Sequence, residues 1–178
     1  MPYRPSKSSF EIYREGGTTR EISLLVKLVL MTRRFRNQLD EDFRKIGQST
    51  ARMETLSAIL NMKAPISQTD LARRLRVEAA TVTRMVDVLS KEGLVERRPD
   101  PNDRRVNLLS ISLKGEAVLE QIFLVYDRMR NNLLQDLSGD DIERMHACVD
   151  LMTRRLDEPD AARSVTIEQP EGIDRLRT

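Results

Sequence analysis

Side chains that can bond to nucleic acid are concentrated between Ser67 and Ser112. Thr81, Thr83 and Arg84 lie near the start of a predicted helix, on the side opposite to its apolar stripe. A threonine hydroxyl can bond to a phosphate or a base edge, and a guanidinium can bond to guanine in two places. Such side chains on a helix that docks by an apolar face are typical of major-groove recognition. We therefore expect Thr81, Thr83 and Arg84 to contact duplex DNA.

A second group of polar residues, Ser67, Gln68 and Thr69, precedes this helix. With Asp70 they have the S-x-x-D form of a capping box, in which the serine and the acidic side chain satisfy backbone amides reciprocally. The box predicts a helix start. Because a helix N-terminus presents free amides and the positive end of the helix dipole, it favours phosphate. We expect all three residues to contact the DNA backbone.

The third group is the sequence DPNDRR at residues 100–105, between two segments with strand character. Aspartate, proline and asparagine favour a tight turn, so Asp103, Arg104 and Arg105 are expected at the tip of a β-hairpin. Arginine at such a tip suits the narrow, strongly negative minor groove of A/T-rich DNA. Asp103 is expected to hold one of the arginines in position by a charge-assisted hydrogen bond.

Helical periodicity predicts the elements that position these groups. One helix is expected over residues 20–46, three shorter ones between Thr50 and Lys91, and two more after Ser112 and Ser138. The two strands are expected over residues 94–98 and 106–111. A hairpin of this length is marginal alone, so it must pack on the helices. The expected packing residues are Leu94, Val95 and Leu108.

The last two helices carry apolar residues at alternating steps of three and four, the pattern of a coiled-coil seam. The positions are Leu119, Ile122, Tyr126, Met129 and Leu133 in one helix, and Ile142, Met145, Val149, Met152 and Leu156 in the other. One chain offers no obvious partner for so much apolar surface, so a helical dimer interface is expected. The predicted fold class is mainly α with a small β-hairpin wing (α+β): a winged helix-turn-helix with flanking dimerisation helices.

These elements divide the chain into five expected segments. They are a flexible N-terminal arm (1–19), a first dimerisation helix (20–48), a winged helix-turn-helix lobe (49–112), two further dimerisation helices (113–158) and a loose C-terminal tail (159–178). The alternative for the arm is that it packs across the partner of a dimer, because Phe10 and Tyr13 are more apolar than the residues of a free tail usually are.

Residues that usually carry catalysis are sparse. The chain has one histidine and one cysteine, so an intrachain disulfide is impossible. His146 and Cys148 are two apart on a predicted helix, so they point to different faces and do not suit a metal site or a nucleophile pair. We expect no enzyme activity, no metal and no cofactor. Cys148, beside Met145 and Val149, is expected to be a buried, inert thiol.

Membrane association is not predicted. The most apolar run, residues 22–31, is interrupted by Lys27 and too short for a bilayer span. The N-terminus lacks the apolar core of a signal peptide. The net charge of +2 is too small to demand a polyanionic partner by itself. A cytoplasmic location is expected.

Three strings in register connect the chain to a known family. TVTRMVDVL, GLVER and DPNDRR resemble the MarR family of bacterial transcriptional regulators in order and spacing, and the resemblance covers roughly residues 20–157. It implies a homodimeric winged helix-turn-helix protein that dimerises through its first, fifth and sixth predicted helices and binds a pseudo-palindromic operator. It also implies release from DNA when a small, often phenolic or acyl, effector binds between the dimer helices and the DNA-binding lobe.

The chain departs from the family's pattern at two places in this region. Arg76 occupies the turn where the family often has glycine, so the turn is strained or Arg76 contacts a phosphate. Ala79 and Ala80 replace a more polar pair at the start of the recognition helix. The expected specificity therefore falls more heavily on the residues that follow and on the wing.

The residues leave two functions open. The first is a homodimeric, sequence-specific DNA-binding regulator, expected to be a repressor that a small-molecule effector releases; an activator is compatible with the same residues. The second is a winged-helix protein-interaction module without a specific operator, because winged helices also serve as docking modules.

Overall fold

The computed structural model describes residues 7–62, 65–103 and 105–158. It is mainly helical with one small antiparallel sheet, which confirms the predicted fold class. The elements in chain order are α1 Ser9–Arg14, α2 Arg20–Arg44, α3 Thr50–Asn61, β1 Ile66–Ser67, α4 Gln68–Leu75, α5 Ala79–Lys91, β2 Val95–Pro99, β3 Asn107–Ile111, α6 Leu113–Leu134 and α7 Gly139–Asp157. The contacts divide the chain into two compact units, one ending at Asn132 and one beginning at Leu133.

Serine caps begin most of these helices, as their sequence predicts. Ser49 Oγ accepts a hydrogen bond from Arg52 N at the start of α3. Ser67 and Ser138 form complete capping boxes with Asp70 and Asp141. Each cap satisfies amides that the first helical turn leaves without an intrahelical partner. Local sequence therefore decides where α3, α4 and α7 begin.

The core of the first unit lies where α2 to α6 meet the sheet. Its fully buried side chains include Leu39 and Phe43 of α2, Leu56 of α3, Leu71 of α4, Val82, Val86 and Leu89 of α5, and Leu119 and Ile122 of α6. The predicted apolar stripe of α5 is thus confirmed. Burial of such a side chain stabilises the fold by roughly 1.5–3 kcal/mol, so α5 is anchored on one face and free on the other.

The sheet has three strands in the order β1-β3-β2, one more than the sequence predicted. β1 has two residues and pairs Ile66 with Leu109 and Ser67 with Leu108; a segment so short shows no periodicity. The expectation that Leu108 packs on the helices was wrong. Leu109 is buried and Leu108 is half-buried, because neighbouring residues of a strand face opposite sides of the sheet.

The N-terminal arm contains a helix where a flexible segment was expected. α1 has a complete capping box, with Ser8 Oγ accepting from Glu11 N and Glu11 bonding to the backbone of Ser8. Lys7 Nζ also lies 2.8 Å from Glu15 Oε2. These local bonds stabilise a helix of six residues. A helix this short is not predicted by apolar periodicity.

The heptad seam of α6 is used mostly inside the first unit. Leu119 and Ile122 are buried in its core, and Tyr126 and Met129 pack against that core. The ring of Tyr126 lies edge-on to Phe35 of α2, with centroids 6.4 Å apart. The expectation that the whole seam lacks a partner within one chain was therefore wrong. Its last position, Leu133, is exposed.

The second unit is built on α7, in which no residue is buried. Its seam residues Ile142, Met145, Val149 and Leu156 are exposed. Cys148 is exposed as well, so the expectation of a buried thiol was wrong for the single chain. Nothing within the described part of this unit covers that face of α7. The predicted C-terminal tail lies outside the described residues.

Candidate nucleic-acid interface

The free face of α5 carries the residues predicted to contact DNA. Thr81, Thr83 and Arg84 are exposed, whereas Val82 and Val86 between and beyond them are buried. Glu78 is the N-cap residue and makes no side-chain cap hydrogen bond. The helix therefore presents its first two turns to solvent with short polar groups and one guanidinium, as a helix that enters the major groove requires.

Thr83 also connects α5 to the start of α4. Its hydroxyl lies 3.0 Å from the carbonyl oxygen of Ala79 and 3.0 Å from Gln68 Oε1. A hydroxyl has one proton to donate, so the two acceptors compete for it. The contact brings Gln68, Thr83 and the α4 N-terminus together, as the predicted interface requires.

Ser67 has a structural role at the start of α4. Its hydroxyl donates to Asp70 Oδ2 at 2.6 Å and accepts from Asp70 N at 3.1 Å. The hydrogen bonds from the Ser67 hydroxyl and then its amide lower the pKa of Asp70 below the usual 3.8. Gln68 is half-buried and Thr69 is exposed. Thr69 is thus the most accessible of the three side chains predicted to meet phosphates.

The turn between α4 and α5 depends on a left-handed residue. Arg76 has φ 54° and ψ 44°, the conformation that glycine adopts most easily. For another residue it costs on the order of 1 kcal/mol. The predicted strain of this turn is confirmed, and the Arg76 side chain is exposed.

The wing is tied to the recognition helix by an arginine that sequence reasoning did not single out. Arg97 of β2 donates to Asp87 Oδ1 at 2.5 Å and to Ser90 Oγ at 3.1 Å. Asp87 and Ser90 are three apart and therefore adjacent on the surface of α5. That spacing was visible in the sequence, but only the hairpin register shows that Arg97 faces it. The link holds α5 and the wing as one surface.

The wing tip is ordered by side chains that bond to the backbone. Asp103 Oδ1 accepts from Arg105 N at 2.9 Å, and Asp100 Oδ1 accepts from Asn102 N at 2.8 Å. We expected the Asp103 carboxylate to accept a charge-assisted hydrogen bond from an arginine side chain. The bond that the structure shows comes instead from the backbone amide of Arg105. The Arg105 side chain is exposed. Arg104 lies outside the described residues.

A shallow depression of about 210 Å³ lies between α3 and α4. Its polar lining includes Glu54, Ser57, Asn61 and Arg74. The depression does not coincide with the effector pocket that the family resemblance implies, which would lie between the dimer helices and the DNA-binding lobe. That pocket stays a prediction.

None of the described helices is both long and apolar enough to cross a membrane. Within residues 7–62, 65–103 and 105–158, no group of three or more His, Cys, Asp or Glu side chains is placed to hold a metal ion.

Comparison with known proteins identifies the family. A model described as the MarR family matches residues 49–106. The multiple antibiotic resistance protein MarR of Escherichia coli (strain K12) is 30% identical over 123 residues, which are 68% of this chain and 85% of that protein. The chain belongs to the MarR family. The matched region contains α3 to α5, β2 and the wing tip, and it ends just before β3. The predicted interface, residues 67–105, lies within it.

Solved structures of similar proteins have the same fold. A mutant of E. coli MarR complexed with operator DNA has a TM-score of 0.65 at 28% identity, over 74% of this chain and 95% of that chain. The transcriptional regulator BldR from Sulfolobus solfataricus has a TM-score of 0.67 at 25% identity, over 77% and 99%. The S. aureus MepR–DNA complex has a TM-score of 0.69 over 78% and 99%, but its 19% identity shows a likeness of fold alone. The chain is a MarR-family transcriptional regulator with a winged-helix fold.

Proposed function

We propose that the chain is a homodimeric, sequence-specific DNA-binding repressor that a small-molecule effector releases from its operator. The observation that carries the proposal is the continuous surface formed by the α4 N-terminus, the free face of α5 and the wing. Arg97 and Thr83 join these three parts by direct hydrogen bonds. A surface of this composition fits a major groove and the minor groove beside it.

Each part of the surface has a separate task in the proposal. Thr81, Thr83 and Arg84 read base edges or neighbouring phosphates. Ser67, Gln68 and Thr69 place the α4 N-terminus against the backbone, where its amides and dipole favour phosphate. Asp103 shapes the wing tip that inserts Arg104 and Arg105 into the minor groove.

Apolar surface supports the dimer. The first half of α2 exposes Leu24, Leu25 and Val29, and α7 exposes its seam. Exposed apolar faces of this extent usually mark protein contacts, and a second copy is the partner that a pseudo-palindromic operator requires. The two recognition helices of such a dimer lie about 34–36 Å apart, one turn of DNA.

The remaining parts of the proposal follow from this role. The effector is a small organic molecule bound between the dimer helices and the DNA-binding lobe. No catalytic step is assigned to the chain. Because the operator of a bacterial regulator lies on the chromosome, the proposal places the protein in the cytoplasm.

Selection from random duplexes tests the proposal. The full chain should enrich a pseudo-palindrome whose half-sites are one helical turn apart. The logarithm of the binding constant for this duplex should fall linearly with the logarithm of the salt concentration, because phosphate contacts release counterions. Failure to enrich any sequence, with salt-sensitive binding to all duplexes, would instead support the protein-interaction module.

A further inference from the structure

One hydroxyl group serves two helix ends at the junction of the recognition helix with α6. Ser112 Oγ donates to the carbonyl oxygen of Gly93, just beyond α5, at 2.7 Å. It also accepts from Gly115 N in the first turn of α6 at 3.0 Å. The amide of Gly115 belongs to the first turn of α6, whose amides lack helical partners, and the carbonyl of Gly93 lies just beyond the C-cap of α5. Ser112 therefore joins the end of α5 directly to the start of α6.

Gly115 brings α6 closer to the segment that follows α5 than any other residue would permit. A Cβ added at Gly115 would lie 2.2 Å from the carbonyl oxygen of Leu94 and 2.8 Å from Ile111 Cγ1. The Leu94 oxygen is itself held by Ser112 N at 3.0 Å. Any larger residue must therefore move α6 away from the segment that follows α5.

Two cationic side chains add to the junction. Lys114 Nζ donates to the carbonyl oxygen of Glu92 at 2.9 Å, where a cation also complements the helix dipole. Arg52 of α3 donates to both carboxylate oxygens of Glu92. The C-terminus of α5 is thus held from α6 and from α3 together. We call residues 92–94 with Ser112, Lys114 and Gly115 the α5–α6 joint.

We propose that the α5–α6 joint sets the direction of the recognition helix relative to α6, and so the half-site spacing that the dimer accepts. The inference rests on the proposed function. Ser112 and Gly115 are positioning residues, since the DNA contacts come from other side chains. α6 leads along the chain from the wing to the unit that contains α7, so an angular change at its start alters the separation of the two recognition helices.

Half-site and full-site binding separate positioning from simple stability. One half-site is read by one lobe, and its affinity does not depend on the angle between α5 and α6. A full operator is read by two lobes, and each inserted base pair moves the half-sites apart by about 3.4 Å. A change at the joint should therefore alter the ranking of spacers and leave half-site affinity nearly unchanged.

The test compares Gly115→Ala and Ser112→Ala with the wild type and with Gly139→Ala as the matched control. Gly139 begins α7, and a Cβ there would meet no atom within 4 Å. The probes are the duplex that the wild type selects, its half-site, and versions with the spacer shortened or lengthened by one or two base pairs. Kd is measured for each, after circular dichroism has shown that the variant is folded.

We expect Gly115→Ala to change the preferred spacer, or to reduce the wild-type preference by about fivefold or more, the loss that a single mismatched base pair causes. Ser112→Ala adds no atom and should broaden the range of accepted spacers. Gly139→Ala should keep the wild-type ranking. If Gly115→Ala does not fold, Ser112→Ala decides the question alone.

The inference is overturned if the folded joint variants keep the wild-type ranking of spacers, whether or not all affinities fall together. A wild type that selects no paired half-sites overturns the proposed function itself. The two failures are distinct, because the first requires a wild type with a clear spacer preference.

Discussion

Arg84 and Arg105 are the two described arginines that the predicted interface exposes for direct contact with DNA. Arg84 stands on the free face of α5, and Arg105 stands at a wing tip whose backbone is fixed by Asp103. A fixed backbone lowers the entropy lost when the guanidinium enters a groove. The two residues should therefore contribute at different positions of one operator.

Replacing either arginine by alanine should weaken operator binding by about 1–3 kcal/mol. For Arg84→Ala the loss should concentrate at the bases under α5, and for Arg105→Ala at the flanking A/T-rich steps. Gel shifts against single-base operator variants measure both. Arg128→Ala, an exposed arginine in the second half of α6, is the matched control. Wild-type affinity in both test variants would refute these two residue assignments.

We expect Asp40 to make the stability of the first unit depend on pH. It accepts hydrogen bonds from the hydroxyl and the amide of Thr50, which is 3% exposed. The hydroxyl first and then the amide lower the pKa of Asp40 below the usual 3.8. A lowered folded-state pKa contributes stability that is fully present above the unfolded value and is lost as the pH falls through the folded value.

The contribution of Asp40 to the free energy of unfolding should therefore be constant above about pH 5 and should decrease below about pH 4. Urea denaturation at pH 7 and at lower pH measures the change. Asp40→Asn should lower stability at pH 7 and flatten the decrease in acid. Asp136→Asn, between α6 and α7, is the control for the loss of one carboxylate. An Asp40→Asn variant with the full wild-type pH dependence would contradict this explanation.

At the scale of elements, the contact between β2 and α5 joins the wing to the predicted recognition surface. The side chains of Arg97 and Asp87 are 28% and 46% exposed. Pairs with this much solvent access contribute modestly, roughly 0.2–1 kcal/mol. The functional importance of the contact is therefore expected to exceed its effect on stability.

Arg97→Met should lower the free energy of unfolding by less than about 1 kcal/mol and weaken wing contacts with A/T-rich flanks more than contacts under α5. Arg98→Met is the control for stability, because Arg98 bonds to Glu96 within its own strand at 2.9 Å. A double-mutant cycle with Asp87→Asn isolates the pair. Additive effects of the two substitutions would show that the contact does not couple the elements.

Several elements followed from local sequence signals, although the capping box of Ser8 and Glu11 at the start of α1 was not recognised. The capping boxes at Ser67 and Ser138 and the buried stripe of α5 all depend on a few neighbouring residues, whereas the strained turn at Arg76 was implied by the family resemblance. The Arg97–Asp87 contact and the burial of Leu109 depend instead on strand register. The sequence predicted that register only to within one residue. A shift of one residue moves every side chain of the strand to the other face of the sheet. The intrachain packing of Tyr126 likewise required the position of Phe35 on another helix.

At the scale of the whole molecule, α7 is the clearest test of the proposed dimer. Val149 lies in the middle of its exposed seam, and Arg154 lies on the opposite face of the same helix. Replacing each by glutamate places a negative charge on each of two sides of one helix, and Arg154→Glu also removes a positive charge. Only the first would bury that charge in a dimer.

Val149→Glu should raise the dimer dissociation constant by a factor on the order of 100 or more, because an unpaired buried charge is strongly destabilising. Operator binding should fall with it, whereas Arg154→Glu should keep the wild-type dimer. Sedimentation velocity over a range of concentrations measures the association. A Val149→Glu variant that stays dimeric would place the interface elsewhere.

The two-residue strand β1 links local opening events that would otherwise be independent. Ile66 and Ser67 pair with Leu109 and Leu108 of the wing, and Ser67 is also the first residue before α4. In hydrogen–deuterium exchange, amides that open together form one cooperative unit. We therefore expect opening of the wing to remove the strand partner of Ser67. The amides of the α4 N-terminus and of the wing, the two parts of the surface proposed to face phosphates and the minor groove, should then gain and lose protection together.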